Sequence, residues 1–293
     1  MSARTRAELL LFAVTFIWGS TFVATKFLLA SVSPFLYSTI RFGLATVVLG
    51  VIFLSRLRQM SRRTLLHGLI LGSLLFVGFS LQTIGLQFTS ASKSAFFTGM
   101  LVVFTPLCQF AIERRAPKIG NVLGVVLVTV GLFLLTSPKG AEFNLGDGLT
   151  LGCAFLFGLY IVYLDVFTKQ SDSLQLTFIQ FATSALFGGL VLVLLEQPVW
   201  NYAPSVLAVL GYMIVFATLI AMYVQTRFQK DTTPTRSAII FSSEPVIAAG
   251  FAYLVLEERL GLLGIGGALL ILSGVLVSEL SEVVFRSNSK PPH

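Results

Sequence analysis

Charge is what this sequence has least of: 11% of its 293 residues are Asp, Glu, Lys or Arg, where a water-soluble domain carries about 25%. That scarcity excludes an ordinary solvated surface. Histidine is equally sparse, with His67 at the edge of an apolar run and His293 at the end of the sequence; neither a histidine metal site nor a nucleophile–histidine pair has material to work with. The two cysteines, Cys108 and Cys153, both lie inside apolar runs, which leaves two inert thiols and excludes a disulfide framework. No G-x-x-x-x-G-K-[ST] loop is present, so the sequence has no phosphate cradle of that kind for ATP. No cofactor, no metal and no enzymatic chemistry are expected.

What is abundant is hydrophobicity, at 55% of residues and a mean hydropathy of +0.89. A bilayer core of about 30 Å takes roughly 20 apolar residues as a helix, and ten such stretches can be marked, at about 9–29, 35–54, 65–88, 92–112, 119–136, 149–167, 174–195, 206–228, 237–256 and 262–280. The expected class is therefore all-α integral membrane. The first stretch has the basic and apolar regions of a signal peptide but no clear small-residue cleavage site, and it is read as a span. Residues 287–293 are expected to be a disordered tail.

The net charge of +7 does not form a basic patch interleaved with aromatics, as a nucleic-acid surface would. Basic residues sit instead at the ends of the apolar runs. With ten spans, fifteen of the twenty fall on the side of the termini, against Lys26, Lys93, Lys139 and Arg259 on the other, while Arg41 lies within a span. The positive-inside rule then places both termini in the cytoplasm of a cell whose inner membrane holds the chain.

The chain also repeats itself. Lys93-Ser94-Ala95 returns as Arg236-Ser237-Ala238, an offset of 143, and Gly124 and Gly131 return as Gly267 and Gly274 at the same offset. Glu113-Arg114 and Glu258-Arg259 follow at 145. The expected units are 1–138 and 139–286, five spans each, joined by the turn-rich segment 137–147 with Pro138 and Gly140. Five is odd, so the second unit enters the membrane from the opposite face. Inverted repeats around a central cavity are the architecture of many secondary transporters, though duplication also builds inert scaffolds.

Some polar side chains are costly where they stand. Glu244 lies deep in the ninth span beside Pro245, where a bare charge costs roughly 2.5–3.5 kcal/mol on insertion scales. It is either a proton or cationic-group site, or a structural acid serving backbone freed by the proline. Pro106 frees the carbonyl of Val102 in the fourth span in the same way, so Pro106 and Pro245 are expected to bend the two related helices, although they are 139 apart and not 143. Arg41 is read as a structural or snorkelling residue, with an anion-attracting role as the alternative and Asp165 or Glu196 as candidate partners. Lys93 and Arg236 open the two related helices, as interfacial anchors or as anion attractors at each mouth.

A small-molecule cavity is mostly apolar and aromatic with a few placed polar groups. Trp18, Thr21 and Thr25 share one helix face, and Tyr160 and Tyr163 share another. Phe97, Gln82, Gln87, Gln180, Tyr223 and Gln225 complete the candidate lining. For any one of them interhelical packing is the alternative. Gly120 and Gly124 form a GxxxG pair for close helix packing, with a homodimer contact as its other use.

Trp18-Gly19-Ser20-Thr21-Phe22, Arg41, Thr89-Ser90-Ala91, Glu113-Arg114, Ser243-Glu244-Pro245-Val246 and Glu257-Glu258-Arg259 together resemble the drug/metabolite transporter superfamily, specifically its EamA-type ten-helix members. The resemblance spans essentially the whole chain. It implies two five-helix bundles in inverted symmetry and movement of small metabolites across the inner membrane, often outward; known members handle amino acids, purines, sugar conjugates or drugs. The expectation is an exporter of a small amphipathic metabolite, an amino acid or related compound, by alternating access with proton coupling through Glu244. An uncoupled facilitator, a drug exporter, or a scaffold or lipid-handling protein without an aqueous substrate are the alternatives.

Overall fold

The architecture, in a computed structural model, is described for residues 1–114, 116–136, 143–256 and 261–287, and by backbone alone at 136, 252, 255–256 and 279–287. Glu257-Glu258-Arg259, Pro138, Gly140 and residues 288–293 of the expected tail lie outside the described residues. Helices account for nearly all of the rest: α1 Ala3–Leu29, α2 Pro34–Leu57, α3 Arg62–Phe88, α4 Ala91–Gly99, α5 Leu101–Glu113, α6 Ile119–Thr136, α7 Leu145–Thr168, α8 Ser173–Leu195, α9 Pro204–Tyr212, a π-helical stretch Met213–Ile220, α10 Ala221–Phe228, α11 Pro234–Phe241, α12 Glu244–Leu256 and α13 Leu262–Ser287. Among the described residues there is no strand, only a single bridge between Val32 and Trp200 that ties the α1–α2 turn to the loop after α8.

The helices begin where the sequence supplies caps. Ser2, Ser61, Ser90 and Thr233 each accept a backbone N–H from the first turn, Asp172 accepts two, and Asn144 with Asp147 forms a reciprocal capping box. Pro34, Pro204 and Pro234 stand in first turns, where a missing N–H costs nothing. In a bilayer such satisfaction matters more, because no water reaches an orphaned backbone donor.

Among the described residues, seven helical rods are long and apolar enough to cross a membrane: α1, α2, α3, the α4–α5 rod, α7, α8 and the rod from Pro204 to Asp231. Two shorter apolar helices lie at Ile119–Leu135 and Leu262–Ser278. Their outer faces carry bare hydrocarbon, with Val51 76%, Leu195 81% and Leu269 61% exposed. An unbroken apolar exterior is what lipid contact requires. Inside, Leu11, Phe42, Leu75, Ile161, Phe181 and Phe241 form the main buried cluster.

Two rods are broken, and the breaks correspond. α4 gives way to α5 at Met100, and α11 gives way to α12 at Ser242–Ser243. Met100 and Ser243 are separated by 143 residues, the repeat offset. Pro245 lies in the first turn of α12, beside its break, but Pro106 sits inside α5 and the chain turns six residues earlier than the proline. The expected bend at Pro106 is therefore displaced to Met100. Gly99 lies beside it: a Cβ there would stand 3.2 Å from Pro245 and 3.0 Å from Leu132, so glycine lets the two breaks press together without displacing those side chains. Gly19 does the same for α1, where a Cβ would stand 2.7 Å from Ile247.

α6 and α13 meet through their own glycines. A Cβ on Gly131 would lie 2.7 Å from the Gly267 carbonyl, and one on Gly124 2.9 Å from that of Gly274. Gly124 of the expected GxxxG pair is thus used within the chain, and Gly124 and Gly131 each pack against the repeat equivalent of the other. This contact is the membrane form of close backbone approach, driven by van der Waals fit and not by water exclusion.

Candidate functional site

Polar residues gather in three places along the bundle: a central cavity and a cluster near each end of α1. At the start of α1 the Glu8 carboxylate accepts from Arg236 Nε at 2.7 Å, from Thr232 Oγ1 at 2.8 Å and from Arg4 Nε at 2.9 Å. Arg236 also donates to the Ser278 carbonyl at 3.1 Å, so this tie joins α1, α11 and α13. Near the far end, the fully buried Asp147 carboxylate accepts from Lys93 Nζ at 2.6 Å, Thr89 Oγ1 at 2.7 Å and the Asn144 N–H at 3.1 Å. Lys26 of α1 completes that cluster by donating to the carbonyls of Leu86 and Thr89. Lys93 and Arg236 are accordingly ion-paired to buried acids, and not interfacial anchors reaching for headgroups.

Between them lies a cavity of about 570 Å³ of empty space, partly open, framed by residues from both halves of the chain. Trp18 and Thr21 come from α1, Arg41 from α2, Phe79 and Gln82 from α3, Thr98 from α4, Phe157 and Tyr160 from α7, Gln225 from α10, Phe241 from α11 and Glu244 from α12. The broken rods therefore deliver Thr98, Phe241 and Glu244 to the cavity at or beside their breaks.

Most polar groups here are already engaged. Trp18 Nε1 donates to the Ala217 carbonyl at 3.1 Å, Gln82 Nε2 to Thr98 Oγ1 at 3.1 Å, and Tyr160 OH to Gln180 Oε1 at 2.9 Å. Gln180 in turn donates to Thr226 Oγ1 at 3.1 Å, and Gln225 Nε2 donates to Gln229 Oε1 at 3.0 Å. Thr21 bonds its own helix at the Trp18 carbonyl. Two charged groups stand apart. Arg41, 4% exposed, donates Nε to Thr218 Oγ1 at 2.6 Å and Nη1 to Tyr37 OH at 3.2 Å, and lies 4.9 Å over the Phe79 ring. Glu244, 9% exposed, has no hydrogen bond or ion pair to its carboxylate among the described residues.

The π-helical stretch explains how Arg41 is held. Thr218 Oγ1 donates to the Met213 carbonyl five residues back, at 2.8 Å, and so presents its lone pairs to the guanidinium. Single widened turns of this kind recur at functional positions in helices. They also leave carbonyls off the regular ladder, and the Ala217 carbonyl takes the Trp18 indole.

A family model described as the EamA-like transporter family matches the chain twice, over residues 5–137 and 144–280. Those two matches cover nearly the whole sequence. The chain belongs to the EamA-like transporter family. It is a multi-pass membrane transporter of the drug/metabolite superfamily, and transporters of this kind move their solutes unchanged. An uncharacterized transporter of Archaeoglobus fulgidus is 34% identical over 281 residues, covering 94% of this chain and 87% of that protein. A protein of Chlamydia muridarum named S-adenosylmethionine/S-adenosylhomocysteine transporter is 26% identical, covering 86% of this chain and 85% of its own length. A solved crystal structure at 17% identity shares the fold over 98% of this chain and 99% of that one, with a TM-score of 0.80.

Within this EamA-like transporter, Trp18, Thr21, Gln82, Tyr160, Gln225 and Glu244 of the candidate lining face the cavity, together with Arg41. Six candidates do not. Thr25 meets the Tyr37 hydroxyl at 3.4 Å, and Gln87 is exposed. Gln180 lies behind Tyr160 as its hydrogen-bond partner, Tyr163 stacks on Phe167 at 5.4 Å, Tyr223 packs against the main buried cluster, and Phe97 meets Phe96 and Phe143 edge-on. The candidate partners of Arg41 are also engaged elsewhere: Asp165 with Lys169 at 2.5 Å, and Glu196 with the Phe35 and Leu36 N–H groups at the start of α2, both at 3.0 Å. Phe79, Phe157 and Phe241 line the cavity without having been singled out, since 27 phenylalanines in one apolar sequence offer no contrast.

Proposed function

We propose that this transporter moves a small amphipathic metabolite, an amino acid or a compound that contains one, outward across the inner membrane by alternating access, its ten spans forming two inverted five-span repeats. One observation carries the reading: the two end clusters are repeat equivalents of each other. Thr89 and Lys93 reach Asp147 at the start of α7, while Thr232 and Arg236 reach Glu8 near the start of α1, and both donors are displaced by 143 residues. In each, a threonine and a cation from one half grip an acid of the other.

The two grips stand at opposite ends of α1. Lys26 belongs to one and Glu8 to the other, so the 18 residues between them correspond to about 27 Å at 1.5 Å per residue. That is close to the thickness of a bilayer core. A cavity with a reciprocal latch toward each end of the bundle suits a carrier in which one latch opens while the other holds, with the paired breaks at Met100 and Ser242–Ser243 as hinges. The broken halves are joined where Pro245 packs on Gly99.

The chlamydial relatives support an amino-acid-bearing solute, because S-adenosylmethionine carries an amino-acid group on an aromatic body. Coupling to protons runs through Glu244, a cavity carboxyl with no partner among the described residues. The test is flux in proteoliposomes: labelled amino acids should enter saturably, and faster against an opposing pH gradient that drives exchange. Saturable flux indifferent to the gradient reduces the protein to a facilitator. Absence of flux for every amino acid, with stabilisation by lipid alone, favours the scaffold reading.

A further inference from the structure

We propose that the cavity binds a zwitterion, with its anionic group on Arg41, its cationic group on Glu244 and an apolar or aromatic body between the rings of Trp18, Phe79, Phe157 and Phe241. The assignment rests on the transport reading for its purpose but on the cavity alone for its chemistry. Arg41 and Glu244, a guanidinium and a carboxyl, face the same cavity and have no ion partner among the described residues. Neither is paired with the other, and both are nine-tenths or more buried.

A guanidinium has five N–H donors in a flat fork. Arg41 spends Nε on Thr218 and one hydrogen of Nη1 on Tyr37, which leaves Nη2 with no acceptor among the described residues. The residue is held at three points, by a hydroxyl, a phenol and the face of Phe79, so its free edge is fixed before a ligand arrives. A carboxylate is the planar acceptor that such an edge fits. Glu244 is the complementary case, a carboxyl that in its ionised form only accepts and so offers both oxygens to a cation.

The rest of the lining narrows the class. Trp18, Thr21 and Tyr160 have their single donors committed within the protein, and Gln82 and Gln225 one amide N–H each, so they contribute surface more than charge. What remains for a solute is one cation, one anion and four rings. A solute with both charges satisfies both groups and keeps the site neutral. An amine or an acid alone leaves the opposite protein charge buried and unmet, which is how a polar site rejects an analogue lacking a group.

The experiment is ligand-dependent thermal stabilisation of the detergent-purified full chain, first with the twenty common amino acids. Each amino acid that stabilises is compared with its decarboxylated amine and its deaminated acid, for instance phenylalanine with 2-phenylethylamine and 3-phenylpropionate. The amino acid should bind at least tenfold more tightly than either analogue. Arg41→Gln should erase the gap between amino acid and amine, Glu244→Gln the gap between amino acid and acid, and Arg41→Lys should keep part of the first gap, which guards against loss of fold alone. An amine or acid binding as tightly as its parent in the unmodified protein overturns the proposal, as does stabilisation by none of the twenty. Binding of zwitterions without flux in proteoliposomes would leave the site standing and reject transport; flux that ignores the second charge would keep transport and reject the site.

Discussion

Replacing Lys93 by Met separates the two members of the end cluster around Asp147 by their exposure. The Asp147 carboxylate is fully buried, whereas the Lys93 side chain is 21% exposed. Removing Lys93 leaves a buried acid held only by Thr89 and the Asn144 N–H. Stripping one partner from a buried ion pair costs about 3–5 kcal/mol. At about 2–4 °C per kcal/mol, the melting temperature should fall by about 6–20 °C. Asp147→Asn removes the other member, but the amide still accepts from Thr89 and Lys93 can turn outward, so the loss should be about half as large, roughly 2 kcal/mol. The double variant removes both charges together and should melt above Lys93→Met. Fluorescence melting of the three variants in detergent decides the matter. If Lys93→Met melts with the parent, or the double variant melts below both singles, the pair does not hold the two halves as described.

Neighbouring glycines in α13 give a sharper contrast. Gly267→Ala places a Cβ 2.3 Å from the Leu135 amide nitrogen, while Gly266→Ala meets nothing within 4 Å; the first should lose about 1–3 kcal/mol and the second nothing, by the same melting assay. Thr232→Val deletes one hydrogen bond to the Glu8 carboxylate and should cost about 1–2 kcal/mol, a result checked by a parallel melt with Thr89→Val, its repeat equivalent. Gln180→Leu removes the Oε1 acceptor of the Tyr160 hydroxyl, while Thr226 keeps its bond to the Met222 carbonyl, so it should weaken solute binding several-fold without any contact to the solute; unchanged affinity would place Tyr160 outside the recognition surface.

The all-helical class and the membrane address were legible because they follow from composition, and apolar runs of twenty residues admit few other structures. The internal offset of 143 was equally plain, since it is a matter of letters. What sequence could not supply was pairing. Arg41 was matched with Asp165 and Glu196 on depth alone, yet one acid serves Lys169 and the other caps α2. Lys93 and Arg236 looked like anchors because their acids, Asp147 and Glu8, lie 54 and 228 residues away. The break at Met100 was assigned to Pro106 because proline is the visible breaker, whereas the close approach of Gly99 to Pro245 is a tertiary fact. The π-helical turn at Met213–Ile220 has no signature in a stretch of uniformly apolar residues.

The central claim is that the two latches open in turn. It is tested most directly by thiol accessibility, with Thr21→Cys as the cavity probe and Cys108 and Cys153 replaced by Ala. A membrane-impermeant maleimide is added from one face at a time to sealed vesicles of known orientation. With Glu8→Gln, labelling should quicken only from the face that holds the start of α1; with Asp147→Asn, it should quicken only from the opposite face. Equal labelling from both faces in either variant, or no change in both, would contradict alternating access.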